Sequence, residues 1–572
     1  MAISRFVLLL ALARQSQGPK PTGGDGLIGL WGGQVSPGPA IRGEMIVERA
    51  AGHWTVRIAG LEVTAPKSED SLWFQMPGNL GEFRGPAPSG ATPVRGFWIQ
   101  PAGMGPRHAS PVTLRQIRPG TWRGTVVPLD ERFTLYLSIS RDSGGSLRGS
   151  FHNPEARWNG GAPWFRVTRD GDNVRLSDPT TGRQRFSQPY DSAARRIMMD
   201  FGTPMALTPV GPETAAGFLA RPATQAPYEY RVPVPRPDGW PTAHAGHVGL
   251  DPDGLAALVR QLAASVPTSD SAPLVHSLLL ARHGSLVLEE YFFGFTADRP
   301  HDLRSVGKTL TSVIAGAAID MGALPGVAAQ AYSGPDPNKR GITLHHLLTH
   351  SSGLACNDMD GASPGNEERM QRQTAQPDWY RFFLDLPLTS EPGRTYAYCS
   401  AGFNLVGGMV RAATRTWLPA YFDRAIARPL GIERYHWNLM DSGEAYTAGG
   451  ASFLPRDLLK IGQLYLNGGR WLGRRVVSRE WVARSTDHRI ATPDGGSDGY
   501  GWHRHMLRVG DKGYQAYEAN GNGGQFLIVV PGLDLVAVIT AGNYNQYRIW
   551  RAFRDFAVRG VPTRNTRPTG RN

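Results

Sequence analysis

Ser305 and Lys308 stand three residues apart in the stretch "HDLRSVGKTLTSVIAG", residues 301–316. Residues three apart share one face of a helix, so a hydroxyl and an amine placed this way come within hydrogen-bond reach. A serine hydroxyl is a poor nucleophile until a neighbouring base takes its proton. An amine serves when its neutral form is accessible, which partial burial near other cations or polar groups encourages. Val306, Leu310, Val313, Ile314 and Ala317 recur at helical spacing and predict a helix that begins at or near Ser305. A helix start adds backbone N–H groups and a positive dipole end, both of which favour an oxyanion formed after attack. The same run contains GKT, the tail of a phosphate-binding loop. The first glycine of that loop is replaced here by Asp302, a fixed negative charge where an anion would sit, which argues against nucleotide binding.

S-x-x-K alone recurs by chance in long chains, so its companions decide. "EPGRTYAYCSAGFNLVGG" from Glu391 places Tyr398 and Ser400 as Y-x-S ahead of another helical run. "ITLHHLLTHSSGL" from Ile342, "GYGWH" from Gly499 and "NGNGGQFLIVVPGLDLVAVIT" from Asn520 follow the same order as segments of a known family. The set resembles the serine β-lactamase and penicillin-binding-protein superfamily, in its class C-like branch of esterases, peptidases and amide hydrolases, over about Tyr228 to Val561. The resemblance implies Ser305 as the acylated nucleophile, Lys308 as its base or proton relay, and Tyr398 as partner base and proton donor to the leaving group. It implies Ser400 as a hydrogen bonder to Lys308 or substrate. The oxyanion hole would combine the Ser305 N–H with the strand near Asn522, and Gly521 and Trp502 would be supporting positions. Where the family has K-T-G or H-x-G, this chain has Ala519, Asn520 and Gly521. The cation that would hold a β-lactam carboxylate is absent, which favours a neutral ester or amide of a small molecule, cleaved without metal or organic cofactor. A cell-wall D-peptidase or β-lactamase is the alternative within the enzyme class, and a non-catalytic ligand-binding protein on the same fold is the alternative outside it.

Other chemistry-bearing residues carry weaker patterns. His345, His346 and His350 lack the glutamate of H-E-x-x-H and are expected to be structural. No G-x-S-x-G surrounds any serine, so an α/β-hydrolase triad has no support. Ser351, in "SSG", reads as a helix-ending turn. The two cysteines, Cys356 and Cys399, are too few for a cysteine zinc site. In an oxidising compartment they would pair and tie the Y-x-S loop down; elsewhere they would be two separate buried thiols.

The elements that must position these residues follow from patterning. At 572 residues the chain exceeds one ordinary core, and 41% apolar with 19% charged is a globular composition. The first residues, 1–20, read as a short secretory signal and predict a periplasmic or secreted protein. Residues 24–222 alternate with period two, as in Trp54, Val56 and Ile58, and predict an all-β module whose tryptophans are core. "GLWGGQV" at Gly29 and "GTWRGTV" at Gly120 suggest two repeated units. Residues 223–252 are proline-dense and read as a linker. Residues 253–562 pair two strong hairpins, "LVHSLLLARHGSLVLEEYFFGF" and "QFLIVVPGLDLVAVITAGN", with a helical middle and an amphipathic helix from Tyr547. They predict an α/β (α+β) β-lactamase-like catalytic domain with an antiparallel sheet flanked by helices and a helical lobe; residues 563–572 read as a disordered tail. The net charge of +13 is scattered, without the clusters of a nucleic-acid face, and no run is long and apolar enough to span a membrane.

Overall fold

The computed structural model describes residues 25–549, apart from 37–40, 67, 69, 104, 157, 212–214, 216, 223–225, 270 and 510–511. The expected signal, the tail and most of the closing helix lie outside the described residues. Period-two alternation in the first part of the chain buries one face of each strand. Trp54, Val56 and Ile58 point inward while Arg57 faces solvent, and Leu135, Leu137 and Ile139 do the same on another strand. Eight antiparallel strands close a barrel in the order Gly29–Val35, Phe133–Arg141, Leu147–His152, Phe165–Asp170, Asn173–Ser177, Gln184–Asp191, Arg196–Asp200 and Pro204–Pro209, the last returning to the first. Its interior is filled by Trp31, Leu135, Leu137, Phe165, Leu176, Ile197 and Leu207. Turns sit where glycine allows a left-handed backbone, as at Gly171 with φ 57° between Phe165–Asp170 and Asn173–Ser177.

Between the first and second barrel strands the chain inserts eight more, from Gly43–Arg49 to Thr121–Val126. The two look-alike segments therefore belong to different cores. Trp31 fills the barrel and Trp122 fills the inserted sheet, so the two units are nested, not tandem. The inserted strands do not stop at the unit's edge. Arg107–Arg118 pairs with Tyr435–Leu439, which continues to Ala451–Phe453 and His301–Asp302, so one eleven-stranded sheet runs from the N-terminal region into the part of the chain that carries Ser305. Buried contacts reinforce this seam. Arg95 pairs with Asp423 at 3.0 Å, the Arg84 guanidinium lies 3.3 Å from the Trp417 ring centroid, and Ser110 Oγ meets His436 Nδ1 at 2.7 Å.

The proline-rich segment corrects the linker expectation: it packs on the catalytic part. Trp240 is 3% exposed and its Nε1 donates to the Arg456 carbonyl, while Leu286 N–H donates to the Pro241 carbonyl. Proline removes a donor and stiffens the chain, and here that stiffness lays an extended strap beside the strand Ser285–Tyr291.

The second half forms an eight-stranded antiparallel sheet, ordered Ser285–Tyr291, Val275–Arg282, Leu535–Ala541, Gln525–Val530, Lys512–Gly521, His503–Val509, Ser497–Asp498 and Ile490–Ala491. Both predicted hairpins are present, side by side at one end of this sheet with Ser285–Tyr291 as its edge strand. Their apolar runs are continuous because both faces are covered. Leu278, Leu280, Phe526 and Ile528 meet the helix Pro252–Ala263, and Leu279, Ala281, Leu527 and Val529 meet the core built on Gly307–Asp320 and Pro455–Leu466.

Buried histidines mark the seams: His276 Nδ1, in the eight-stranded sheet, lies 2.7 Å from His301 Nε2, in the eleven-stranded sheet, and His108 and His436 lie on the strand pair that joins the N-terminal region to the catalytic part. Burial pushes the pKa of His301 and of His108 down to about 4, and those of His276 and His436 well below the usual imidazole value. Their folded pKa values are depressed, so the unfolded chain takes up protons first as pH falls below about 6.5, and each group removes about 1.4 kcal/mol of stability per pH unit until its own folded value is reached. Denaturant midpoints should therefore drop between pH 7.5 and pH 5.0; equal midpoints would show that these rings do not govern acid stability.

Candidate functional site

The strand His301–Asp302 ends against the sheet, and the chain then turns sharply into the helix. Asp302 Oδ1 accepts from the Arg304 N–H at 2.9 Å, and Arg304 takes a left-handed φ of 48°. A left-handed non-glycine residue stores strain of the kind found at functional sites. Ser305 follows in a 3-10 turn, Arg304–Val306, that runs directly into the α-helix Gly307–Asp320. The helix expected from Ser305 is thus present, with the serine in the tight turn at its mouth.

The geometry brings the three expected groups together. Lys308 Nζ donates to Ser305 Oγ at 3.1 Å and to the Ala448 carbonyl at 2.9 Å. The Tyr398 side chain hydrogen-bonds to both Ser305 and Lys308, and its ring centroid is 4.9 Å from Nζ. Burial would push the Lys308 amine down, but the Tyr398 phenol, Glu367 and Asp358 outweigh it and hold its pKa above the usual lysine value. Burial pushes the Tyr398 phenol up, with Lys308 and the Ser305 hydrogen bond opposing. The surroundings of Lys308 are therefore polar and acidic, without the cations that would favour a neutral amine, and at neutral pH the amine keeps its proton.

Ser400 does not reach Lys308. Its backbone N–H donates to Asp358 Oδ2 at 2.7 Å and its hydroxyl to Glu367 Oε2 at 3.2 Å, while Tyr446 donates to the other oxygen of Glu367. Sequence reasoning missed Asp358, Glu367 and Tyr446. Asp358 and Glu367 lie in a turn-rich stretch between motifs, where neither periodicity nor spacing marks a residue. The Y-x-S loop is held from behind: Cys356 and Cys399 are joined by a disulfide, and His350 Nδ1 accepts from the Cys399 N–H at 3.0 Å with its ring 4.6 Å from that of Tyr398. Burial keeps the His350 pKa down at about 3, so the ring is a neutral acceptor. His346 and Thr343 form a capping box on the helix Leu344–Leu348, and His345 Nδ1 meets the Tyr500 hydroxyl at 2.9 Å. Ser351 is buried, with its hydroxyl 2.8 Å from that of Thr349.

Gly521 ends the strand Lys512–Gly521 directly against the nucleophile turn. A Cβ there would lie 2.5 Å from the Leu303 carbonyl oxygen and 3.1 Å from the Ser305 nitrogen, so only glycine permits this approach. Asn522 lines the cavity with Ser305, and its side chain is clamped to Asn545 by bonds of 2.8 and 2.7 Å. Trp502 is a correction. It is fully buried between Tyr465 and Tyr517, behind the nucleophile helix, and does not line the cavity. The GYGWH segment passes that helix on its far side, where the Gly501 carbonyl accepts from Thr309, and this turns the indole into the core.

Two predictions follow from the packing. Gly521→Ala should cost about 1–3 kcal/mol by overpacking and lower kcat more than tenfold, read from melting curves and ester turnover. Reducing the disulfide, which links residues 43 apart, should lower stability by about 4 kcal/mol in the chain-entropy picture; an unchanged denaturation midpoint in dithiothreitol would contradict it.

The model of the Beta-lactamase family matches residues 256–554, just over half of the chain. Among curated proteins, the 6-aminohexanoate-dimer hydrolase of Paenarthrobacter ureafaciens is 29% identical over 224 residues, which is 36% of this chain and 55% of that protein. Esterase EstB of Burkholderia gladioli is 33% identical over 97 residues, 16% of this chain and 24% of that one. The chain thus spans about half, and about a quarter, of the length of these two relatives. A penicillin-binding protein homologue from Pyrococcus abyssi is 17% identical, with a TM-score of 0.41, covering 53% of this chain and 77% of its own. Through the family match over its C-terminal half, this chain belongs to the beta-lactamase family.

Proposed function

We propose that the chain is a serine hydrolase that cleaves an ester or amide bond of a small molecule through a Ser305 acyl-enzyme. The observation that carries this reading is the Lys308 ammonium 3.1 Å from the Ser305 hydroxyl, with Tyr398 bonded to both. Because burial raises the Tyr398 pKa, the reactive fraction is the one in which the phenol has lost its proton to solvent, and the neighbouring Lys308 ammonium lowers the cost of that phenolate. Ser305 Oγ attacks the carbonyl carbon as its proton passes to Tyr398, and the oxyanion is met by backbone N–H groups of Ser305 and of the strand end at Asn522. Tyr398 then gives the proton to the departing alcohol or amine as the C–O or C–N bond breaks. The phenolate restored by that transfer takes a proton from water as the water oxygen attacks the acyl carbon, and returns that proton to Ser305 Oγ as the acyl C–O bond breaks and the acid leaves.

The relatives' printed names, a dimer hydrolase and an esterase, support the ester-or-amide reading. A β-lactamase or D-peptidase reading is weaker because Ala519, Asn520 and Gly521 supply no cation for a substrate carboxylate. A purely binding role is opposed by the intact assembly of Ser305, Lys308 and Tyr398. Export to the periplasm or medium fits the Cys356–Cys399 disulfide, since such bonds persist in oxidising compartments.

A fluorophosphonate probe should label Ser305, and Ser305→Ala should abolish that label. Lys308→Ala and Tyr398→Phe should each lower kcat on p-nitrophenyl esters by about 10³-fold or more while the fold is kept, because nucleophile and base act as a unit. Labelling that persists in Ser305→Ala, or nitrocefin turnover above ester turnover, would count against the reading.

A further inference from the structure

The cavity in front of Ser305 has a volume of about 550 Å³, within the range of small-molecule sites. Its lining divides by chemistry. Beside the nucleophile the charged groups are already engaged: Arg304 Nε faces Asp302 Oδ2 at 2.8 Å, and Glu367 takes the hydroxyls of Ser400 and Tyr446 and faces the Lys308 ammonium. Leu439 and Met440 line the cavity but are 4% and 1% exposed, so they offer a ligand almost no surface. The apolar side chains that line it with part of their surface open are Leu129, Trp379 and Pro106. The Trp379 ring is fixed edge-on against Tyr446, with the ring centroids 5.3 Å apart.

Leu129 comes from outside the family-matched residues, in the connection between the strands Thr121–Val126 and Phe133–Arg141. Its backbone is held on both sides by one buried amide. Gln100 Oε1 accepts from the Leu129 N–H at 2.7 Å, and Gln100 Nε2 donates to the Leu129 carbonyl at 3.3 Å. The next residue, Asp130, pairs with Arg42 and Arg132, which ties the connection further. Gln100 is paired with His108 across the sheet, and His108 with Asn438, which lines the same cavity from the catalytic part. Directly opposed residues of antiparallel strands share a face, so a single row across three strands carries the clamp at one end and the cavity wall at the other. Leu129 packs into none of the hydrophobic cores among the described residues. A half-buried leucine whose backbone is fixed this firmly, and whose side chain no core uses, presents its apolar surface to the cavity.

We propose that Leu129 is a specificity-determining residue of the Ser305 site: with Trp379 it receives an apolar chain on one side of the scissile bond and sets how long that chain can be. This rests on Ser305 being the nucleophile of that cavity. The N-terminal β region then has a part in substrate choice, because the row Gln100, His108 and Asn438 holds Leu129 at a fixed place relative to the catalytic part.

The test uses the full chain and two series of esters, p-nitrophenyl esters of straight-chain acids and acetates of straight-chain alcohols, which separate a chain on the acyl side from one on the leaving group. In one series kcat/KM should climb about fourfold per methylene up to a preferred length and fall beyond it. In that series Leu129→Ala should move the preferred length at least two carbons longer and Leu129→Trp at least two carbons shorter, with fluorophosphonate labelling of Ser305 reporting that each variant is folded. A preferred length unchanged in either folded variant overturns the proposal. A second readout needs no turnover. When the same esters are titrated by calorimetry into Ser305→Ala protein, adding Leu129→Trp should move the tightest binder to shorter chains. The same order of binding in both proteins overturns the wall whatever the catalytic result, whereas absent ester turnover with the shift in binding intact supports the wall and overturns only the assigned chemistry.

Discussion

A buried ammonium is the constraint around which the site is organised. Lys308 is 3% exposed on a helix whose other buried residues are almost all apolar or small. A charge in such a place is tolerated only when opposite charge and hydrogen bonds replace the lost water. The Ala448 carbonyl, the Ser305 hydroxyl and the Tyr398 phenol supply the bonds, and Asp358 and Glu367 supply the charge. Those carboxylates are themselves anchored by Ser400 and Tyr446, so the Y-x-S loop, the turn after the disulfide and the segment at Tyr446 converge because one cation must be compensated.

The second organising fact is the continuity of the eleven-stranded sheet. A strand pair joins two parts of the chain through backbone hydrogen bonds that leave little freedom of angle, unlike a flexible tether. The pairing of Arg107–Arg118 with Tyr435–Leu439 fixes where His108 stands relative to Ser305, and the Arg95–Asp423 pair and the Arg84–Trp417 stack seal the seam.

The legible parts of the sequence were those in which chemistry and spacing coincide. The nucleophile helix showed itself through a 3.6-residue pattern beginning at Ser305, the two hairpins through apolar runs with glycine or proline turns, and the N-terminal strands through alternation at Trp54, Val56 and Ile58. Three things were not legible. Nesting of one β unit within another depends on strand pairs such as Trp31 with Leu137, and the strand shared across the units on pairs as distant as His108 with Asn438, for which local pattern carries no signal. The proline-dense strap reads as a linker because composition reports backbone stiffness but not what the stiff segment lies against. Trp502 reads as a site residue by proximity to a motif, yet the direction of its ring is set by Tyr465 and Tyr517.

The shared sheet also decides what can be excised. A catalytic part cut free at Asp251 would leave the outer edge of Tyr435–Leu439 without the strand that covers it, along with a buried Asp423 deprived of Arg95. Bare strand edges template association between chains. The N-terminal region is thus no detachable cassette: an isolated hydrolase half would tend to precipitate, and its pocket would be missing a side.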